Sequence, residues 1–328
     1  MIIKDFSPFI GQHCETTAIG SLLKQMGIDL SEPMLFGIGE GFGYIYWNMK
    51  TMDFPFIGGR VKPDVLTENI CRNLDLHLEI KETSSIKKAW KNVTQYLDNG
   101  QAVGLKLDCY HLDYFTNKIH FAGHYVALYG YDEEFAYLID TDQQGRKVQT
   151  TLKSLELARN EKGPMSSRNR SYTIEQVEEL SDLNRIIKQA IFNNATEYLN
   201  PPIKNISYKG IKKTSVEIIN WFKTSQDIKG EFQASASIME KAGTGGALFR
   251  NLYRDFLKES ADKLESPKIK EAHEDFIEIA SLWTKVSKLF HKIGETKDEK
   301  YLNRTSEILI DISEKEKRTM EKLKEACA

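Results

Sequence analysis

The sequence predicts an α+β domain followed by a mainly α-helical one, because its texture changes midway along the chain. Up to about Thr151, aromatics and glycines accompany short alternating apolar runs, the period-two pattern of half-buried strands. Beyond about Glu175, lysine and glutamate surround apolar residues at three- and four-residue spacing, the pattern of amphipathic helices. The stretch from Ser154 to Arg170, with a turn at Gly163-Pro164, reads as the junction. The predicted domains are therefore residues 1–155 and 156–328.

In the first domain, Ala18, Ile19, Leu22, Leu23 and Met26 predict a helix over Glu15–Met26, with Gly27 at its C-terminal cap. A second helix is expected over Ile86–Leu97, ending at Asp98-Asn99-Gly100. Val103, Leu105 and Leu107 alternate as in a strand. His124–Gly130 and Phe135–Asp140 flank Tyr131-Asp132-Glu133-Glu134 and read as a hairpin. In the second domain, helices are expected near Leu183–Tyr198, Val216–Lys223, Ala247–Leu264, Ile269–Ile293 and Tyr301–Leu323. Pro201-Pro202 and Gly243-Thr244-Gly245-Gly246 interrupt them.

The formal net charge is -2 and the mean hydropathy -0.45. This balance offers no bulk basic surface for nucleic acid. No apolar run is long enough to span a bilayer and no basic-then-apolar leader is visible, so the expectation is a cytoplasmic protein. Cys14, Cys71, Cys109 and Cys327 are scattered without a CxxC pair, which fits free thiols better than a disulfide framework. The sequence does not set the oligomeric state.

Chemistry concentrates at Cys14. A nucleophilic cysteine needs its thiolate favoured and a base nearby. Cys14 lies in the first turn of the predicted helix, where backbone N–H groups and the helix dipole favour negative charge, although Glu15 opposes it. The hairpin adds a base. A turn centred at Asp132 places His124 opposite Asp140, and one centred at Glu133 places it opposite Asp142. Either carboxylate shares a face with the imidazole and can hold its tautomer, leaving the other ring nitrogen for the thiol. A centre between residues would bring Thr141 opposite and break the pair.

These residues, in this order, resemble the papain-like cysteine fold, and more closely the butirosin biosynthesis protein H family. The matching segments are Gln12-His13-Cys14-Glu15-Thr16-Thr17, Ser31–Gly41, Gly58-Gly59-Arg60, Asp108–Tyr114, Gly123-His124-Tyr125-Val126 and Gly130-Tyr131-Asp132. Gly243–Tyr253 resembles the helical domain that follows in that family. The resemblance implies an acyltransferase that moves an aminoacyl group from an acyl carrier protein thioester to a small-molecule amine acceptor. Such an enzyme binds no cofactor of its own; the phosphopantetheine is carried by the partner protein. Carried over, Cys14 forms the acyl-enzyme, His124 is the base, and Asp140, preferred to Asp142 by the resemblance, orients it. The usual oxyanion glutamine lies further before the cysteine than Gln12 does, so Gln12 and His13 are candidate auxiliary donors. A peptidase or amidase, or a non-catalytic binding module, is the competing expectation.

Gly37, Gly39, Gly41 and Gly43 do not form a nucleotide loop, since no frame gives G-x-G-x-x-G and no phosphate lysine follows. They predict a turn-rich loop by the site, with Glu40, Tyr44 and Tyr46 lining the pocket. Arg60, Asp108, Tyr110 and Tyr114 are the other expected substrate contacts. Gly245, Gly246 and Arg250 suggest a phosphate site at the start of a helix. No metal site is expected: His120 and His124 would lie about 13 Å apart on a strand, and Cys109 and His111 lack neighbouring ligands.

Overall fold

A computed structural model describes residues 1–50, 52–163, 166–176 and 182–328 of the chain. The proposed turn at Pro164 lies outside the described residues. The protein is α+β. Its first elements are α1 (Cys14–Gln25), α2 (Glu32–Ile38), β1 (Phe42–Trp47), β2 (Phe56–Arg60), α3 (Val65–Asn73) and β3 (Leu76–Lys81). Then come α4 (Ile86–Leu97), β4 (Val103–Leu107), β5 (His124–Tyr131), β6 (Phe135–Ile139), β7 (Lys147–Thr151), α5 (Leu152–Asn160) and β8 (Ser171–Gln176). The remainder is helical: α6 (Leu183–Leu199), α7 (Ser207–Thr224), α8 (Ile228–Lys241), α9 (Arg250–Leu264), α10 (Pro267–Thr296) and α11 (Glu299–Ala326).

The chain divides into two compact units that do not follow the expected 1–155 and 156–328 division. One is Met1–Leu35 with Pro63–Ser181, and the other is Phe36–Lys62 with Asp182–Ala328. Two pairings cause the difference. The supposed junction leads into β8, which lies between β3 and β4 in a six-stranded sheet of order β3-β8-β4-β5-β6-β7. The β1–β2 hairpin forms its own two-stranded sheet and packs with α7 in the helical unit.

In the first unit every strand pairing is antiparallel. One core joins Leu105 and Leu107 of β4, Val126 and Leu128 of β5, and Leu138 of β6 to Val93 and Leu97 of α4 and Leu155 of α5. The period-two apolar positions thus share one sheet face, and the helices cover it. Helix α1 packs on β5 and also touches β4, β6 and β8. Of its predicted apolar positions, Ala18, Ile19, Leu22 and Leu23 are buried, Met26 is a half-buried C-cap, and the chain turns away at Gly27 with φ +83°.

In the helical unit, α10 packs against α8, α9 and α11, and α11 packs also against α6 and α7. Phe42 of β1 stacks on Tyr253 at 4.6 Å and meets the edge of Phe276 at 5.3 Å. Gly37, Gly41 and Gly43 of this run serve packing here. A Cβ on Gly37 would sit 2.1 Å from the ring of Phe256.

Candidate active site

Cys14 is the first residue of α1, after an extended His13. As the first helical residue, its N–H has no acceptor within the helix. The approach to this position is fixed by a residue that sequence reasoning did not assign. Both carboxylate oxygens of Glu32 accept the Gln12 N–H at 2.9 Å, and one of them accepts the His13 N–H and the Thr16 hydroxyl, each at 2.8 Å. A Cβ on Gly11 would lie 2.5 Å from the same carboxylate. Glu15, expected to oppose a thiolate, accepts bonds from the Thr67 N–H and hydroxyl at 3.1 and 3.0 Å.

His124 opens β5 opposite Leu107 of β4. Its Nε2 lies 2.7 Å from Asp140 Oδ2, and both side chains are buried. The Cys14 side chain hydrogen-bonds the same imidazole. With Nε2 engaged by Asp140, Nδ1 is the nitrogen left to the sulfur. Burial disfavours the imidazolium, but Asp140 and Cys14 outweigh it and hold the His124 pKa well above the usual histidine range.

The hairpin reaches this geometry by a route the sequence did not show. Tyr131 pairs with Ala136 at the tip, where Asp132 N–H bonds Phe135 carbonyl at 2.9 Å. Continued unbroken, that register would set Asp140 opposite Ala127, on the wrong face for His124. A bulge between Leu128 and Gly130 restores the parity, so that Leu128 pairs with Leu138 and Ala127 with Ile139. Extended to the strand ends, this register sets Asp142 opposite His124. Asp140 reaches the imidazole as the diagonal neighbour. Asp142 is exposed; its side chain bonds Arg146 Nε at 2.5 Å and its N–H bonds the Gly11 carbonyl at 3.0 Å.

Tyr114, expected to contact substrate, donates its hydroxyl to Asp140 Oδ2 at 2.8 Å. Burial and the adjacent carboxylate raise its pKa well above the usual tyrosine value, so it stays a donor. Phe115 meets the His124 ring edge-on at 5.2 Å. Asp140 also accepts the Thr141 N–H at 2.6 Å, which leaves its carboxylate held on three sides.

Several expected contacts are engaged elsewhere. Asp108 is buried and caps a 3-10 turn at Cys109–His111, with Oδ1 accepting Tyr110 and Phe121 N–H groups at 2.8 and 3.2 Å. Tyr110 stacks on His120 at 4.0 Å. Glu40, Tyr44, Tyr46 and Arg60 do not belong to the unit that carries Cys14, because β1 and β2 fold with the helices. There Tyr44 is buried against the Thr214 hydroxyl at 2.6 Å, Glu40 accepts Asn193 Nδ2 at 3.0 Å, and Arg60 donates to Val61 at 3.1 Å. Gln12 and His13 have their backbone N–H groups on Glu32, so neither N–H is a free oxyanion donor; the Gln12 side chain is exposed.

The expected phosphate site at Gly245, Gly246 and Arg250 is overturned. Helix α9 begins at Arg250, and Ala247, Leu248 and Phe249 before it all have left-handed φ, from 48 to 71°. Arg250 is fully buried. Its guanidinium bonds Glu316 at 2.8 and 3.0 Å and the carbonyls of Leu248 and Gly59 at 2.8 and 3.2 Å. The Gly245 carbonyl accepts Asn251, and the Gly246 N–H donates to Thr244. The Arg250 guanidinium and the Gly246 N–H are thus engaged within the unit.

The class that the fold and site define is an α+β unit with a thiol–imidazole–carboxylate line, joined in one chain to a helical unit. The family described as butirosin biosynthesis protein H, N-terminal, matches residues 13–141, and the domain of unknown function DUF4872 matches residues 153–323. The chain belongs to the butirosin biosynthesis protein H-like family. No curated protein matches it. Among the described residues, no helix is long and apolar enough to cross a membrane.

Proposed function

We propose that the chain is a cysteine-dependent N-acyltransferase with a papain-like catalytic unit, acting on an acyl carrier protein thioester and a small-molecule amine. The observation that carries this reading is the imidazole of His124, with Asp140 on one nitrogen and Cys14 on the other. The family description, which names butirosin biosynthesis, supports an enzyme of antibiotic assembly.

The chemistry follows from the proton inventory. With the Cys14 proton on His124, the thiolate attacks the thioester carbonyl, and the tetrahedral intermediate expels the phosphopantetheine thiolate, which takes that proton from His124. The acceptor amine then attacks the acyl-enzyme, and His124 receives its proton as the Cys14 thiolate leaves. Both steps exchange one acyl bond for another, so no oxidant or energy source is needed. The Cys14 N–H and the Gln12 side chain are the proposed oxyanion donors, and Asp140 keeps the imidazole oriented and stabilises its charged form. Hydrolysis differs only in the nucleophile of the second step. Supplying an acyl carrier protein thioester with and without a panel of amines therefore tests the reading. Amide formed at the expense of free acid supports it, whereas free acid alone with every amine makes the enzyme a hydrolase.

A further inference from the structure

We propose that His111, His120 and Glu161 form a binding site for a divalent transition-metal ion, with zinc the best fit. Glu161 lies 41 residues beyond His120 and the two histidines are nine positions apart, a spacing that gives no metal signature. The fold brings them together, with one ligand atom from each lying within 4.8 Å of the others. His111 ends the 3-10 turn, His120 lies in the loop that leads to β5, and Glu161 follows α5.

Two imidazoles and one carboxylate are a donor set that zinc accepts, with a fourth position left for water. His111 Nε2 and Glu161 Oε2 are 2.5 Å apart. Zinc bonds of about 2.0–2.2 Å in a tetrahedron set ligands roughly 3.3 Å apart. That contact would open by under ~1 Å and the widest would close by no more than about 1.5 Å, within the range of side-chain rotation.

An independent observation comes from behind His120. Its side chain is 58% exposed, yet Nδ1 lies 3.3 Å from Oδ2 of the buried Asp108, and its ring is stacked on Tyr110. A carboxylate behind one ring nitrogen fixes the tautomer and presents the other nitrogen outward, the arrangement that supports metal-bound histidines. Asp108 Oδ1 already takes two backbone N–H groups, so this carboxylate is itself held. Nothing in the thiol chemistry requires an exposed histidine so constrained.

The position gives the ion a consequence. His111 and His120 bracket the loop that carries Tyr114 and Phe115, which touch Asp140 and His124. A metal joining both ends of that loop to the end of α5 would clamp it and hold Tyr114 on Asp140, without entering the reaction.

The test uses the full chain stripped by chelator and titrated with zinc against a chromophoric indicator, alongside thermal melts. One equivalent should bind and raise Tm. In His120→Ala and Glu161→Gln the affinity should fall at least ~100-fold and the Tm rise should vanish; His120 is exposed enough that its loss leaves folding intact. Cys14→Ser should bind zinc like the unaltered chain. Cobalt should give the visible absorption of a four-coordinate ion. Binding unchanged in both ligand variants, or no stoichiometric binding in the unaltered chain, overturns the proposal. Neither result touches the acyl-transfer reading, because acylation of Cys14 needs no metal.

Discussion

Each unit contains a buried acid–base pair, and the two pairs differ in what their remaining bonds do. Arg250 and Glu316 are both completely buried. Besides each other, the guanidinium holds two carbonyls and lies over the rings of Phe42 and Trp283 at 4.7 and 4.9 Å. Glu316 also accepts Trp283 Nε1 and the Tyr198 hydroxyl. All of these partners are permanent. His124 and Asp140 are also buried, but the second nitrogen of the imidazole faces a thiol, whose bonding changes when it reacts. Charge and burial alone therefore do not mark a site. A partner able to form a new bond does.

The contrast is tested most sharply at its two bases. His124→Ala removes the proton carrier from the reaction and should lower turnover by about 10²–10⁴-fold, with the smaller loss of stability because Asp140 keeps the Tyr114 and Thr141 donors. Arg250→Ala should do the reverse. It leaves Glu316 charged and buried, at a cost of ~3–5 kcal/mol in denaturant unfolding, and whatever folds should keep its rate per active molecule. The paired change Arg250→Met with Glu316→Leu should recover much of that loss, because neither charge is then stranded.

Asp140→Asn sharpens the electrostatic half. A raised imidazole pKa means that this interaction contributes in full below the unfolded histidine value of about 6.5 and is lost as pH rises through the folded value. The alkaline fall in activity and in stability should therefore move to lower pH in Asp140→Asn, and an NMR titration of His124 should show the same displacement. An unmoved imidazole titration would contradict the role given to Asp140. The smallest effect is expected for Tyr114→Phe. It removes one bond to a carboxylate that keeps two others, so turnover should fall about tenfold, with the His124 titration shifted in the opposite sense to that in Asp140→Asn.

The same contrast explains what could be read from the sequence. The α1 helix, α4 and the β5–β6 hairpin were legible because their apolar residues repeat at the right period. Ile86–Leu97 needed no adjustment, as Ser85 caps it through the Lys88 N–H. The pairing of His124 with Asp140 was also legible, but for the wrong reason. The tip turn spans Asp132–Phe135, so its centre falls between Glu133 and Glu134, and a bulge restores the face. That bulge sits beside long-range contacts that no local pattern encodes. Tyr129 stacks on Phe6 at 5.1 Å and Ile2 bridges to Gly130.

The misses have similar causes. Arg168-Asn169-Arg170 looked like linker, yet Arg170 bonds Glu68 and Glu82 at 3.0 and 3.1 Å as the chain enters β8. Helix α8 was hidden by Gly230, Ser235 and Ser237, weak helix formers carried by tertiary packing. The arginine of Gly243–Arg250 looked poised for an anion, because no local rule shows that Glu316, 66 residues away, already occupies it. Glu32 carries no local pattern that marks it, although it holds the loop that sets Cys14 in place.

The most direct test is the site of acylation. Incubation with an acyl thioester, followed by intact-mass measurement and peptide mapping, should show one acyl group on Cys14. The adduct should be absent in Cys14→Ala and slow to form in His124→Ala. An adduct that survives Cys14→Ala, or that maps to Cys71, Cys109 or Cys327, would contradict the assignment of Cys14 as nucleophile.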